Sequence, residues 1–349
     1  MRAAVLRAHG APPEFGSHPT PSLPLSGSGS GSGSVSGSGS VSADRAQEPA
    51  GRVLVRVTAA PINPLDLLCA SGTSYFGAPA LPYVPGAQGV GVVEESAGGL
   101  PAGRRVWFSC PAGMAPGDGA MAEYCVVDSA SVLPLPVGVD DDLVAALGLS
   151  AIAAWMALSW RGELSAGQRV LVLGASGTVG QVGVQAARLL GASRVIAACR
   201  DPHGRSRALE LGADAVADLT GSDVASVGAR LAEAADGPVD LVLDPVWGVP
   251  AEAALGLLRP GGRLVNLGSS AGPMAQLGSA PLRGGVLSVL GYTNNALSPA
   301  QRADALGEIL EHAAAGRLTT DRETVPLAQA AEAWSRCGTA PHKRSVLVP

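Results

Sequence analysis

The stretch whose residue types and spacing could do chemistry is Ala175-Ser-Gly-Thr-Val-Gly180. Gly177 and Gly180 stand at the last two glycine positions of a G-x-G-x-x-G turn, with Ala175 in place of the first. A valine and leucine run over 170–173 precedes the turn, and Val179, Val182, Ala186, Leu189 and Leu190 follow it at helical spacing. The pattern reads as strand, tight turn and helix. Glycine at 177 lets a pyrophosphate approach the backbone, and the free N–H groups at the start of the helix, along Ser176, Gly177, Thr178, Val179 and Gly180, meet its charge. The alternative for a lone glycine pattern is plain packing between strand and helix.

The following strand weighs against that alternative. It runs over 194–199 and ends about 20 residues after the turn, where a dinucleotide-binding unit places its ribose-reading residue. An NAD site puts a carboxylate there, whereas this chain has Cys199-Arg200-Asp201. A neutral Cys199 removes the acid that would repel a 2′-phosphate, and Arg200 supplies a guanidinium able to hold one with two prongs. Arg205 is a second cation in reach. The expectation is NADPH over NADH, with Asp201 the residue that a small shift would aim at the ribose instead.

The elements that would carry these residues alternate. Strands are expected at 170–173, 195–198, 215–217, 241–243, 264–267 and 286–291, separated by helical stretches, which argues for a doubly wound parallel sheet. Before them, short β segments at 52–58, 84–93, 104–107 and 122–127, set off by Gly and Pro, suggest an irregular β domain. A helix over 299–315 and a strand over 343–348 return the chain to that domain. Residues 26–42 are Ser and Gly with two valines, and nothing in them can form a core.

Composition agrees with a globular α/β protein: 349 residues, 47% apolar, 15% charged and 47 glycines. A net charge of −5 with no basic block disfavours nucleic acid as a partner. The five cysteines are scattered, with no C-x-x-C pair, so reduced thiols and a cytoplasmic setting are expected in place of a disulfide framework or zinc site. The start shows no apolar run of signal-peptide length. The uncharged run 143–160 reaches membrane-span length, but it follows Asp140-Asp-Asp142, a helix-start signal, and reads as a buried helix; no membrane partner is expected.

Six stretches together resemble one family. These are Ile62-Asn-Pro-Leu-Asp66, Val84-Pro-Gly-Ala-Gln-Gly-Val-Gly91, the glycine turn with Gln185, Val239-Asp-Leu-Val-Leu-Asp244, Leu258-Arg-Pro-Gly-Gly-Arg-Leu-Val265, and the terminal run from His342 to Val348. In this order they resemble the medium-chain dehydrogenase/reductase superfamily, in its zinc-independent quinone oxidoreductase and enoyl reductase branch. The resemblance implies a Rossmann-type NADPH-binding domain over 136–295 and a GroES-like catalytic domain built from 1–135 and 296–349. It implies cofactor contacts at Asp244, Gly268 and Ser269 as well as at the turn. Zinc-dependent relatives carry Cys where this chain has Asn63 and Gly-His-Glu where it has Gly86-Ala87-Gln88, so no metal ligand is expected.

The same resemblance places Asn63, Asp66 and Tyr75 at the reacting end. Without a Lewis acid to ionise an alcohol, what remains suits hydride delivery to an activated double bond or a quinone, followed by protonation of the enolate. Tyr75 is the candidate proton donor, one position later than the family pattern, with Tyr83 or solvent as alternatives. Asn63 is placed to hydrogen-bond the nicotinamide ribose or a substrate oxygen, and Asp66 to orient the loop. The runner-up function is an NADPH-binding protein of the same fold without useful turnover, for which Leu68, at a position where quinone reductases often carry Tyr, leaves room. Relatives usually form homodimers by pairing edge strands of their cofactor domains; a homodimer is expected here too, with the apolar strand at 286–291 as the candidate edge. Gly268-Ser-Ser-Ala-Gly272 also spells a hydrolase nucleophile elbow with Ser270 at its centre, but an elbow must feed directly into a helix and Pro273 follows.

Overall fold

The computed structural model describes residues 1–23, 51–96, 99–337 and 343–349; the Ser/Gly stretch 26–42 lies outside the described residues. The first half is β-rich. β1 (Arg2–Val5) pairs antiparallel with β2 (Glu14–Ser17) as a two-stranded sheet. The long β3 (Arg52–Pro61) leads into α1 (Pro64–Ala70), followed by β4 (Gln88–Ser96), β5 (Arg105–Ser109), β6 (Tyr124–Asp128) and β7 (Val132–Pro134). β3 is the hub: it pairs with both β4 and β6, and β4 continues through β5 to β7.

Then α2 (Asp141–Met156) opens the second half, extended by a π turn at Ala157–Arg161. Next come β8 (Arg169–Leu173), α3 (Thr178–Leu189), β9 (Arg194–Cys199), α4 (Pro202–Glu210), β10 (Ala215–Asp218), α5 (Val224–Ala235), β11 (Val239–Asp244), α6 (Gly248–Leu255), β12 (Leu258–Asn266), α7 (Ser279–Gly284) and β13 (Ser288–Gly291). The six strands form one sheet in the order β10-β9-β8-β11-β12-β13, and all its pairings are parallel. The order reverses between β8 and β11, so a crevice opens at the carboxyl ends of those two strands. Helices cover both faces, which is why β11 is buried at all six positions and the strands read as apolar runs without alternation.

The chain closes with α8 (Pro299–Ala314), β14 (Arg322–Pro326), α9 (Ala330–Cys337) and β15 (Arg344–Val348). β15 pairs with β3 through Val346 opposite Pro61 and Leu347 opposite Ala60, and β14 joins its other side. The return of the chain to the first sheet thus follows the expectation, although β2, β7 and β14 have no signal of their own. β14 buries only Val325, and its conformation is imposed by its neighbour β15.

α2 is the seam. It meets apolar length and composition sufficient to cross a membrane, yet most of its window is buried, and Val144, Leu147, Ile152 and Trp155 join the core that also contains Val90, Val182, Leu306 and Val346. Its ladder breaks at Gly148, which adopts φ +23 and ψ −123. At the break, the fully buried Gln88 side chain reaches the two backbone groups that a regular helix would join. The Leu149 N–H donates to Gln88 Oε1 at 2.8 Å, and Gln88 Nε2 donates to the Ala145 carbonyl at 3.4 Å. A side chain inserted into the i to i−4 ladder is a recognised cause of a kink. A Cβ at position 148 would collide with Gln88 Oε1 and lie 2.8 Å from Trp107 Nε1. Gly148→Ala is therefore expected to destabilise the protein by about 2–3 kcal/mol through overpacking and backbone strain, read as a lower urea midpoint at unchanged m-value.

Candidate cofactor and substrate site

The glycine turn lies at the reversal point of the parallel sheet. The tight bend is taken by Gly174, at φ +63, where a Cβ would lie 2.7 Å from Val246 Cγ1. Sequence spacing assigns the first position to Ala175; the structure moves the conformational requirement one residue earlier, because the chain must turn before it leaves β8. Gly177 is the N-cap of α3, and no side chain caps that helix. The nearest atom to a Cβ at 177 is the Gly174 carbonyl at 3.7 Å, so this face is open. At Gly180 a Cβ would clash with the Gly174 carbonyl, so that glycine allows helix and strand to close up. An uncapped helix start with an open glycine at its mouth fits a phosphate. Ser176 abuts Gly204 of α4, where a Cβ would run into it, while Thr178 is buried and Val179 half-buried.

The end of β9 separates the expected ribose-side residues. The Cys199 thiol is buried and pushed up to about 11 by burial and by the neighbouring Asp201, so it is neutral. The Asp201 side chain turns back to cap α4, accepting from the Gly204 N–H at 3.0 Å. Arg205 is committed: Nη1 donates to the carbonyls of Cys199 and Arg200, at 3.2 and 2.9 Å, and lies 3.3 Å from Asp218 Oδ1. Through Nη1 it stitches the β9 end to the β10 end. Arg200 is exposed, and no hydrogen bond or ion pair engages its guanidinium among the described residues.

Asp244 is engaged within the protein. It is fully buried, and its carboxylate accepts from the N–H groups of Val246 and Trp247 and from Asn266 Nδ2, at 3.0, 2.8 and 3.0 Å. It pins the loops after β11 and β12 together. Burial raises its carboxyl above the usual range against those three donors. Between the same loops Trp247 takes φ +60, and Ala271 N–H donates to the Val246 carbonyl at 2.7 Å. Gly268 fits against the Pro245 carbonyl where a Cβ would clash, and Ser269 is exposed beside it. No helix follows Ser270 directly; α7 begins only at Ser279, so the elbow reading is excluded.

On the other side of the seam, Asn63 is the N-cap of α1 and only 4% exposed. The buried Asp66 carboxylate accepts from the N–H groups of Asn63 and Ala87 at 2.7 and 2.8 Å. It is thereby a clamp between α1 and the turn before β4, with its carboxyl raised by burial. Behind it, the buried Arg344 guanidinium donates to the Ile62 carbonyl at 2.6 Å and to Ser150 Oγ at 3.2 Å. Gln88 Nε2 donates to Asn63 Oδ1 at 3.3 Å, and Trp107 Nε1 donates to Gln88 Oε1 at 2.9 Å. Asn63 Nδ2 and the Tyr83 hydroxyl are buried without a partner among the described residues. The Asn63 amide lies close enough to ease the charge on Asp66, but no hydrogen bond closes between Nδ2 and that carboxylate. The Tyr83 phenol is also pushed well above its ordinary value by burial, which makes it a poor acid. Tyr75 stands 77% exposed, its ring 4.1 Å from that of Phe76.

The two sides are linked by one run of bonds. Tyr292 N–H donates to the Asn266 carbonyl (2.9 Å), Tyr292 hydroxyl to Asn294 Oδ1 (2.7 Å), and Asn294 Nδ2 to the Leu149 carbonyl (2.9 Å). From Leu149 the run continues to Gln88 and Asn63. Gln88, Gly148 and Asn294 had no signal as site residues, except that Gln88 falls where zinc-dependent relatives carry Glu. Zinc does not fit here: Asn63 and Ala87 offer no ligand of the Cys and His type, both Asp66 oxygens are taken, and no group of three or more His, Cys, Asp or Glu could hold a metal ion among the described residues. A separate cleft of about 520 Å³ between α2, α4 and β14 is lined by charges already paired, Arg207 with Asp321 and Arg322 with Asp142.

Comparison with known proteins agrees with this architecture. Residues 49–137 match the alcohol dehydrogenase GroES-like domain, and residues 178–310 match the family described as zinc-binding dehydrogenase. The chain is 31% identical over 312 residues to a phenolphthiocerol/phthiocerol polyketide synthase polypeptide of Mycobacterium tuberculosis, covering 87% of this chain but 14% of that protein. It is 31% identical over 221 residues to human quinone oxidoreductase, covering 62% of this chain and 64% of the human one. Among solved structures, the quinone oxidoreductase of Thermus thermophilus superimposes with a TM-score of 0.78 and 31% identity over the whole of both chains. With a GroES-like half, a parallel six-stranded sheet and this similarity along its full length, the chain belongs to the medium-chain dehydrogenase/reductase superfamily, in the quinone oxidoreductase branch.

Proposed function

We propose that the chain is an NADPH-dependent reductase that passes hydride to an activated double bond, in an α,β-unsaturated carbonyl or enoyl thioester, or to a quinone, without a metal ion. The observation that carries the coenzyme choice is Arg200, an exposed guanidinium with no partner among the described residues, at the end of β9 and beside an Asp201 already spent on capping α4. A 2′-phosphate placed there gains a charge-assisted pair, and a ribose 2′-hydroxyl finds no free carboxylate. The similarity to the Thermus thermophilus protein, whose structure was solved with NADPH, supports the same choice.

Bound across the crevice, NADPH supplies the hydride. The chain's own part is to hold it and to shape the reacting end. The uncapped start of α3 meets the pyrophosphate, and the loops pinned by Asp244 fix Gly268 and Ser269 as a rigid wall. Asn63, clamped through Asp66, faces the substrate. Solvent supplies the proton, because Tyr75 projects into water and Tyr83 is buried. We also propose that two copies pair through β13, the outer strand of the parallel sheet, next to the exposed Val286.

The reading is tested by mixing the protein with NADPH and a panel of enones, enoyl thioesters and quinones and following absorbance at the nicotinamide band. Oxidation dependent on an acceptor is expected. Enhanced nicotinamide fluorescence without oxidation would instead favour a binding protein. Arg200→Ala is expected to raise the Kd for NADPH by about 10-fold or more, the worth of a charged hydrogen bond, while leaving the Kd for NADH within about twofold; equal loss for both would remove the coenzyme assignment. Tyr75→Phe is expected to change kcat by less than about threefold, whereas loss of a true general acid costs about 100-fold or more. Light scattering on the eluted protein should give twice the chain mass.

A further inference from the structure

The fixed donors around Gln88 settle a question of polarity. Trp107 Nε1 and Leu149 N–H can only donate, and both point at the same end of the Gln88 amide, at 2.9 and 2.8 Å. That end must be the oxygen. The other end is then the NH2 group, which lies 3.4 Å from the Ala145 carbonyl and 3.3 Å from one end of the Asn63 amide. Because an NH2 group facing an NH2 group forms no bond, the Asn63 atom it meets must be Oδ1. The remaining Asn63 atom, Nδ2, is therefore the donor left over, buried and without an acceptor among the described residues. Each step follows from backbone and indole N–H groups whose polarity cannot change.

We propose that Gln88 is a positioning residue that locks the Asn63 amide with Nδ2 as the donor presented to ligand, and that this site consequently takes substrates offering an acceptor oxygen, a carbonyl or quinone oxygen, at that point. The inference rests on the reductase reading above and adds to it the element that sets the donor. The lock depends on the α2 kink: Gly148 leaves room for Gln88 Oε1 and frees Leu149 N–H to bind it. A buried amide left with one uncommitted donor is costly in the free protein, and an acceptor on the ligand removes that cost. An acceptor oxygen that gains negative charge as hydride arrives would be held by this donor more strongly in the transition state than in the ground state.

Replacing Gln88 by glutamate reverses the polarity in a pH-dependent way. When ionised, the introduced carboxylate has only acceptor oxygens. One can still take the Trp107 and Leu149 donors, but the other repels Asn63 Oδ1 and draws Nδ2 toward itself, turning the amide over. Burial raises the pKa of such a carboxyl. Once protonated, it regains a donor where Nε2 stood.

Two measurements test the proposal. In steady-state kinetics with NADPH and 2-cyclohexen-1-one, Gln88→Glu at pH 8 is expected to lower kcat/KM for the enone at least about tenfold with the KM for NADPH unchanged. The loss should be recovered as pH falls toward 5, while the wild type shows no such recovery. A merely structural defect would give a loss independent of pH, and that result overturns the proposal. Independently of turnover, the chain has only four asparagines, so protein labelled with 15N-asparagine shows four side-chain NH2 pairs. The pair lost in Asn63→Asp belongs to Asn63. In wild-type protein with NADP+, adding cyclohexanone, a saturated ketone that cannot react with the oxidised coenzyme, is expected to shift this pair; an unmoved pair at ketone saturation overturns the inference. If the wild type reduces no acceptor, the reductase reading fails and the ketone-dependent shift alone decides for or against the donor. If Gln88→Glu does not fold, the same wild-type measurement decides.

Discussion

The hydrogen bonds of the buried Gln88 amide are the constraint on which the site depends. The side chain bridges the ladder of α2 at its break, takes the Trp107 indole N–H from β5 and reaches Asn63 at the head of α1. Four parts of the fold are thereby held to one another by a single amide. A break in a helix normally leaves a donor and an acceptor unsatisfied in the interior. Here both are answered by a residue of the other half of the chain, so the kink is also a joint. The joint continues from Leu149 through Asn294 and Tyr292 to Asn266, at the carboxyl end of β12.

Around that joint, charged residues are used mostly as fasteners. Asp66 clamps two backbone N–H groups, Asp244 holds the loops after β11 and β12, Asp201 caps its own helix, and Arg205 ties strand ends together. Each is a charged group that holds partners inside the protein. Among the described residues, the open start of α3, the guanidinium of Arg200 and the buried amide nitrogen of Asn63 are left uncommitted, as is the Tyr83 hydroxyl. In the function proposed above the first three are the groups assigned to the pyrophosphate, the ribose and the substrate.

Local pattern carried much of this. The parallel sheet was legible because strands covered on both faces need unbroken apolar runs, and the glycine turn was legible because close backbone approach excludes any side chain. The return of the chain by β15 to β3 was also anticipated, from the terminal apolar run. By contrast β14 and β2 escaped notice, since neither carries an alternating pattern and each exists through its partner strand. The turn itself was misplaced by one residue: spacing alone cannot tell Gly174 from Ala175 as the bend, whereas φ +63 and the crowding by Val246 can.

Residue types by themselves determined the fold class, the place of the glycine turn to within one residue and the presence of a cation rather than an acid directly after Cys199. They could not determine which side chains are spent and which are free. Asp201, Arg205 and Asp244 read as candidate ligand contacts in the linear order, and only the fold shows the internal partners three to 22 residues away that they hold. Tyr75 has the chemistry of an acid and stands in solvent. The pairing of Gln88 with a break about 60 residues later in the chain exists in no local window, because hydrogen-bond satisfaction in a buried seam is a property of groups brought together by the whole fold.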